Sequence, residues 1–225
     1  MLRNTSYVTG DIEEGRTNMP PKPRFTREQI VEAALDLVRQ RGFRALTARE
    51  LATRMGMSTR PIFSYFDSME GLKSEVFARS KEVFGEFIKE GLKSPVPFLG
   101  LGLQYIRFAR QEPQLFRLLF LSGHEREGGS ASEAFEVARD LALDVLFDGT
   151  GMDEDTAKDC LRDLWLVVFS LGTLIVVDDC PYSDEQICDI LSEVNQSLVR
   201  AYRTESRLPH GDYDKAEVLA ALERH

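Results

Sequence analysis

The sequence predicts an all-α protein: an N-terminal three-helix module joined by a long helix to a second, larger helical domain. Three observations carry that prediction. Aliphatic and aromatic residues recur at helical spacing along most of the chain, while alternating β-branched runs bounded by Asn-Gly or Asp-Gly turns are missing. Capping residues punctuate the sequence at helix-length intervals. Charge is also segregated: residues 22–60 hold nine Lys and Arg against four Asp and Glu, a net +5, in a chain of formal charge −9. The rest of the 225 residues therefore carries −14.

The elements follow in order. Thr26 caps a first helix to about Gln40, with Ile30, Ala33, Ala34, Leu37 and Val38 on its apolar face and Gly42 closing it. Thr47-Ala48-Arg49-Glu50 forms a capping box for a short helix, about Ala48 to Met55, that Gly56 ends. Ser58 is expected to cap a third, about Thr59 to Tyr65, with Pro61 in its first turn, where a missing amide hydrogen costs little. Ser68 opens a long fourth helix to about Leu92. Beyond Pro95 and Pro97 come a helix from Phe98 to about Arg110, a short one from Pro113 to Leu121, a Gly/Ser loop over 122–130, helices near 131–147 and 153–177, and a last one to about Tyr202 opened by Ser183. The expected organisation is a leader at 1–24, a helix-turn-helix domain at 25–72, a regulatory and dimerisation domain at 73–203 and a polar tail at 204–225, with a helical turn near Lys215–Leu222.

The stretch from Thr47 to Phe66 carries the chemistry. Two short helices meet at Gly56, with the small Ala52 four residues earlier. Helices crossing at a steep angle need a small side chain at the crossing and a glycine in the turn. Leu51, Met55, Met57 and Ile62 supply the apolar interior. This is a helix-turn-helix pattern, whose second helix enters a major groove. Thr59 and Arg60, with Ser58 and Pro61 at the same end, project where base edges are met, and an arginine pairs bidentately with guanine. Ser64 suits a base or phosphate, Tyr65 a phosphate. Thr47, Arg49 and Lys73 start neighbouring helices and suit phosphates. The basic bias of this segment within an acidic chain fits double-stranded operator DNA as partner.

Residues 26–77 resemble the N-terminal domain of tetracycline-repressor-type (TetR family) regulators. The matching segments are Thr-Arg-Glu-Gln-Ile-Val-Glu-Ala-Ala, Arg-Gly-Phe after the first helix, Leu-Thr-Ala-Arg-Glu-Leu-Ala, and Ile-Phe-Ser-Tyr-Phe-Asp-Ser-Met-Glu-Gly-Leu. Residues 98–121 look like the WHG-type C-terminal subgroup of that family, which often has Trp and then His-Gly in its penultimate long helix; here Trp165 is present, but Phe169-Ser170 stand in place of His-Gly. The resemblance implies a homodimeric, mostly repressing regulator with an inducer pocket in its second domain.

In that domain Leu161, Val168, Ile187, Leu191, Val194 and Leu198 keep near-heptad spacing on the last two long helices and are expected to form a dimer seam. Tyr105, Phe108, Phe116, Phe120, Trp165 and Phe169 are expected to line the ligand pocket, with Arg107, Arg110, His124 and Asp178 as candidate polar anchors. A second domain serving dimerisation alone remains the alternative. Enzymatic signatures are missing: no Gly-rich phosphate loop, no paired Glu-x-x-His, no Ser/His/Asp context. No cofactor and no metal are expected, since His124, His210 and His225 lie far apart. Three widely spaced cysteines, Cys160, Cys180 and Cys188, and a polar start without a signal-peptide pattern (Met19 is a candidate alternative start) fit the cytoplasm. The longest apolar run, Leu164 to Val177, is shorter than the ~18–20 residues a bilayer demands, so no membrane partner is expected.

Overall fold

The computed structural model describes residues 25–122, 131–204 and 216. The expected leader, the Gly/Ser loop with His124, and the tail with its helical turn lie outside the described residues. Within them the chain is helical with no strand: α1 (Arg27–Arg41), α2 (Ala48–Met55), α3 (Arg60–Tyr65), α4 (Met69–Leu92), α5 (Pro97–Gln111), α6 (Pro113–Phe116), α7 (Ala131–Thr150), α8 (Glu154–Val176) and α9 (Asp184–Thr204).

Local chemistry starts most of these helices. Thr26 accepts the Gln29 amide and Gln29 returns a bond to the Thr26 amide, a full capping box. Thr47, Ser68 and Asp153 accept the amides of Glu50, Gly71 and Thr156. Ser183 accepts the Gln186 amide while Gln186 accepts that of Ser183. The third helix differs from expectation. Thr59 stands at the cap position in a helical conformation with no side-chain cap bond, so neither it nor Ser58 caps α3. Pro at the second position, with its missing amide hydrogen, removes one of the donors a cap would have to satisfy.

The three N-terminal helices bury Ile30, Leu35, Leu51 and Ile62, each fully inaccessible. α4 packs against α1 at its start and against α5 and α7 further on. Ion pairs from Arg27 to Glu75 and from Arg79 to Glu32 fasten it to α1. α5, α8 and α9 form the other side of the second domain. After α6 the chain continues as one π-helical turn, Arg117–Leu121, a form found mostly as single turns and often at functional sites. The Arg117 guanidinium donates to the Val176 carbonyl at the end of α8.

Candidate DNA-binding and effector sites

α2 and α3 meet through Gly56, whose φ of 61° places it in the left-handed region. Its amide donates to the carbonyls of Ala52 and Thr53, and Met57 donates to Ala52. A side chain with a Cβ is disfavoured there. The turn delivers α3 with Ile62 inward and Ser58, Thr59, Arg60, Phe63 and Ser64 exposed.

Ion pairing then sorts the basic residues. Arg27 pairs with Glu75, Arg39 with Glu112 and Asp36, Arg41 with Glu50, and Arg54 with Asp36. Arg49 and Arg60 are exposed and make no ion pair among the described residues. They stand in the first turn of α2 and of α3. Among the described residues of this segment, the arginines without an ion pair are thus the two at the mouth of the helix-turn-helix. Thr47 spends its hydroxyl oxygen on the α2 cap. Pro61 is half-buried in the first turn of α3. Lys73 reaches Glu70 at 3.9 Å and lies 5.9 Å from the Phe43 ring centre.

Two expected phosphate ligands have prior engagements. The Tyr65 hydroxyl donates to the Phe25 carbonyl at 2.9 Å, and the Tyr65 carbonyl accepts from Arg27. A phenol has one proton, and a phosphate oxygen only accepts, so Tyr65 pins the end of α3 to the start of α1 in this state. Ser64 likewise donates to the Arg60 carbonyl. Sequence reading passed over Phe63, which is 49% exposed on α3; its signal was an aromatic residue in a helix position out of step with Ile62.

In the second domain the expected pocket residues sit together, packed as core. Tyr105, Phe108 and Phe116 are among the largest fully buried side chains, Phe120 and Trp165 are buried, and Phe169 is half-buried. Ring centres lie 4.9 Å apart for Tyr105 and Trp165, 4.8 Å for Phe116 and Phe120, and 5.5 Å for Tyr105 and Phe116. Phe84 of α4 completes the set, 5.9 Å from Tyr105 and 5.1 Å from Phe108. Gly172 makes room: a Cβ there would lie 2.7 Å from Tyr105 and 2.9 Å from Phe116. A separate apolar crevice of about 20 Å³ between α5, α8 and α9 shares only Trp165 with the expected lining. Of the candidate anchors, Arg110 pairs with Asp184, and Arg107 and Asp178 are exposed.

The dimer seam requires correction. Leu161, Val168, Ile187 and Leu191 are buried within the single chain, between α8, α9 and α5. Val194 and Leu198 are half-buried. Both helices carry apolar residues on more than one face, and the densest stripe turned inward. The outward apolar residues are Leu166, 56% exposed, and Val177, 47% exposed.

One further contact joins the two regions. The Arg39 guanidinium of α1 donates to both oxygens of Glu112, the residue between α5 and α6, at 3.1 and 3.0 Å. Beside it the Gln114 amide oxygen would stand 3.2 Å from a Cβ on Gly42. Among the described residues no His, Cys, Asp or Glu cluster could hold a metal ion, and no helix is long and apolar enough to cross a membrane.

A helix pair hinged on a left-handed glycine, with its second helix offering an unpaired arginine to solvent, is the helix-turn-helix arrangement that places a second helix in a major groove. Residues 30–76 match the family described as bacterial regulatory proteins, tetR family. YobS of Bacillus subtilis, an uncharacterised HTH-type transcriptional regulator, is 20% identical over 177 residues, covering 77% of this chain and 91% of its own. A Pseudomonas aeruginosa protein described as a transcriptional regulator has the same fold, with TM-score 0.64 and 15% identity over 82% of this chain and 97% of that one. A TetR variant from Acinetobacter baumannii, solved with minocycline, follows at TM-score 0.54 and 16% identity, covering 80% of this chain and 98% of that one. The N-terminal module is thus similar to the DNA-binding domain of tetR-family regulators, and the described helices share the fold of such proteins.

Proposed function

We propose that this regulator works as a homodimeric repressor, released from its operator by a small apolar ligand held in the second domain. The observation that carries the reading is the segment joining α5 to the π-helical turn. Glu112, at its start, grips α1 through Arg39. Phe116 and Phe120, within the next two turns, belong to the aromatic cluster. A molecule entering between those rings displaces the same segment that anchors the DNA-binding module. α4 adds a second connection, running from beside α3 to Phe84 in the cluster.

In this reading Arg60 pairs with a guanine edge and Phe63 meets a thymine methyl. Arg49, Thr47 and Lys73 hold phosphates. Leu166, Val177, Val194 and Leu198 contribute to the seam between copies. Two heads then read a near-palindromic site with half-sites ~34–36 Å apart. That the similarly folded Acinetobacter baumannii protein was solved with minocycline supports a ligand role. A ligand preferring the released state by ~3 kcal/mol weakens DNA binding about 100-fold.

Linkage supplies the test. An operator is selected from random duplexes, a compound collection is screened for release, and each active compound's affinity is measured with and without operator. Operator must weaken the compound by the factor by which the compound weakens operator. A collection without any active compound, or equal affinities, favours the second reading, a ligand-independent dimeric DNA-binding protein. The close contact of the rings in the core is the observation on that side.

A further inference from the structure

Among the described residues two buried side-chain polar atoms of the second domain have no hydrogen-bond partner, the Asn195 Oδ1 on α9 and the Tyr105 hydroxyl, and the second lies inside the aromatic core. The Tyr105 hydroxyl is inaccessible to solvent and has no hydrogen-bond partner among the described residues. The ring is fully buried, with Phe84, Phe116, Phe120 and Trp165 centred 4.9–5.9 Å from it. The buried hydroxyls elsewhere are satisfied: Ser80 donates to the Val76 carbonyl and Thr156 to Asp153. A phenylalanine at position 105 would fill the same space without stranding a hydroxyl, and a stranded buried hydroxyl is a cost to the fold. The ring that carries it lies against Gly172, where a Cβ would stand 2.7 Å from its edge, and its centre is 5.5 Å from that of Phe120 in the π-helical turn. Packing does not account for the hydroxyl.

We infer that Tyr105 is the polar anchor of the effector site, and that the effector is a neutral, flat, largely apolar molecule carrying one hydrogen-bond acceptor. The inference rests on the ligand-release reading above and names the chemistry of that site. Neutrality follows from the surroundings: no ionised side chain is buried among the described residues, so a charged ligand would lose its hydration without a counter-charge. Flatness follows from rings that can part and stack but offer no open cavity between them at their present separations. The acceptor follows from the hydroxyl itself. Burial pushes its pKa well above the ordinary value, so it keeps its proton and presents a donor. A ligand bringing only a donor would leave that proton as unsatisfied as it is now.

A matched pair of probes tests this. Quinoline and naphthalene have the same shape and differ by one acceptor nitrogen. Trp165 is the only tryptophan, and its ring centre is 4.9 Å from that of Tyr105, so binding is read from its emission on the full-length protein. Wild type is expected to prefer quinoline by about tenfold, the worth of one hydrogen bond. Tyr105→Phe is expected to erase that preference and, unliganded, to melt at a higher temperature than wild type. Equal affinity for the two probes in wild type, or an unchanged ratio in Tyr105→Phe, overturns the anchor. A lower melting temperature in Tyr105→Phe also overturns it, because the hydroxyl then has a partner. If neither probe alters Trp165 emission while other compounds release operator, the inferred ligand class is wrong and the ligand-release reading stands. If no compound of any class releases operator, that reading fails as well.

Discussion

The DNA-binding module and the second domain of this regulator are built on different principles. The module is specified by local devices: a capping box at Thr26, a cap at Thr47, a left-handed glycine between α2 and α3, and ion pairs that bind its surface to α4. Its core is aliphatic apart from Phe66, and among the described residues Arg49 and Arg60 stand exposed without an ion pair. The second domain is specified by a shared interior of aromatic rings from α4, α5, α6 and α8. The difference teaches where each region tolerates change. A region of local devices keeps its shape when its surface is altered, so the surface is available for recognition. A region held by one communal core transmits any change in that core to every helix around it.

The hardest way to strain this comparison is to empty the core. Phe84→Ala removes a fully buried ring from contact with Tyr105, Phe108, Phe120 and Trp165, and should cost ~3–5 kcal/mol of stability. Denaturant unfolding followed by Trp165 emission measures it; a loss below ~1 kcal/mol would contradict the communal core. Next comes Arg60→Ala. It should leave the melting temperature near wild type while weakening specific DNA by ~1–3 kcal/mol, with preference lost at one base step. Uniform weakening on all sequences would instead make Arg60 a phosphate contact.

The third substitution sits on the boundary. Glu112→Gln keeps the shape of the residue that grips Arg39 but removes its charge. Operator affinity should change little, whereas the coupling between an active compound and operator should fall by ~0.5–2 kcal/mol. Unchanged coupling would route the signal through α4 alone. The smallest effect concerns Cys160. Burial pushes its thiol from 9.0 up to about 12, so in the native protein at pH 8 a thiol reagent should modify Cys180 and Cys188 and spare Cys160. The neutral buried thiol contributes stability fully below pH 9, and that contribution is lost as alkali ionises the unfolded chain first. Substitution of Cys160 by Ala should therefore flatten the stability loss between pH 9 and 11.

How much of this was legible in the sequence depends on whether the determinants were local. Thr26, Thr47, Ser68 and Asp153 mark their helix starts because a cap bonds a backbone amide three residues away, a distance sequence can see. Ser58 misled, since α3 begins on Pro61 geometry and needs no cap. Helical spacing found the apolar stripes of α8 and α9, yet placed Leu161, Val168, Ile187 and Leu191 outward. Which stripe faces inward is decided by α5, and no spacing within α8 or α9 reports on α5. The aromatic cluster was visible as composition; its ring-on-ring packing and the stranded Tyr105 hydroxyl were not. Arg60 was read correctly as exposed, but its freedom from ion pairs depends on where acids from α1, α2 and α4 fall. The engagement of Tyr65 with Phe25 joins residues forty positions apart and left no trace in the pattern.

The pairing of Arg27, Arg39, Arg41 and Arg54 within the fold also bears on how the regulator searches a chromosome. Each arginine committed to an internal carboxylate displaces little counterion from DNA, and the grip of a protein on arbitrary sequence grows with the number of phosphates it neutralises. To the extent that Arg27, Arg39, Arg41 and Arg54 stay paired, they add little to the hold on wrong sites. The regulator's search is then made of many short visits rather than few long ones, and the time it spends at an operator is set by the fit of α3 to the bases.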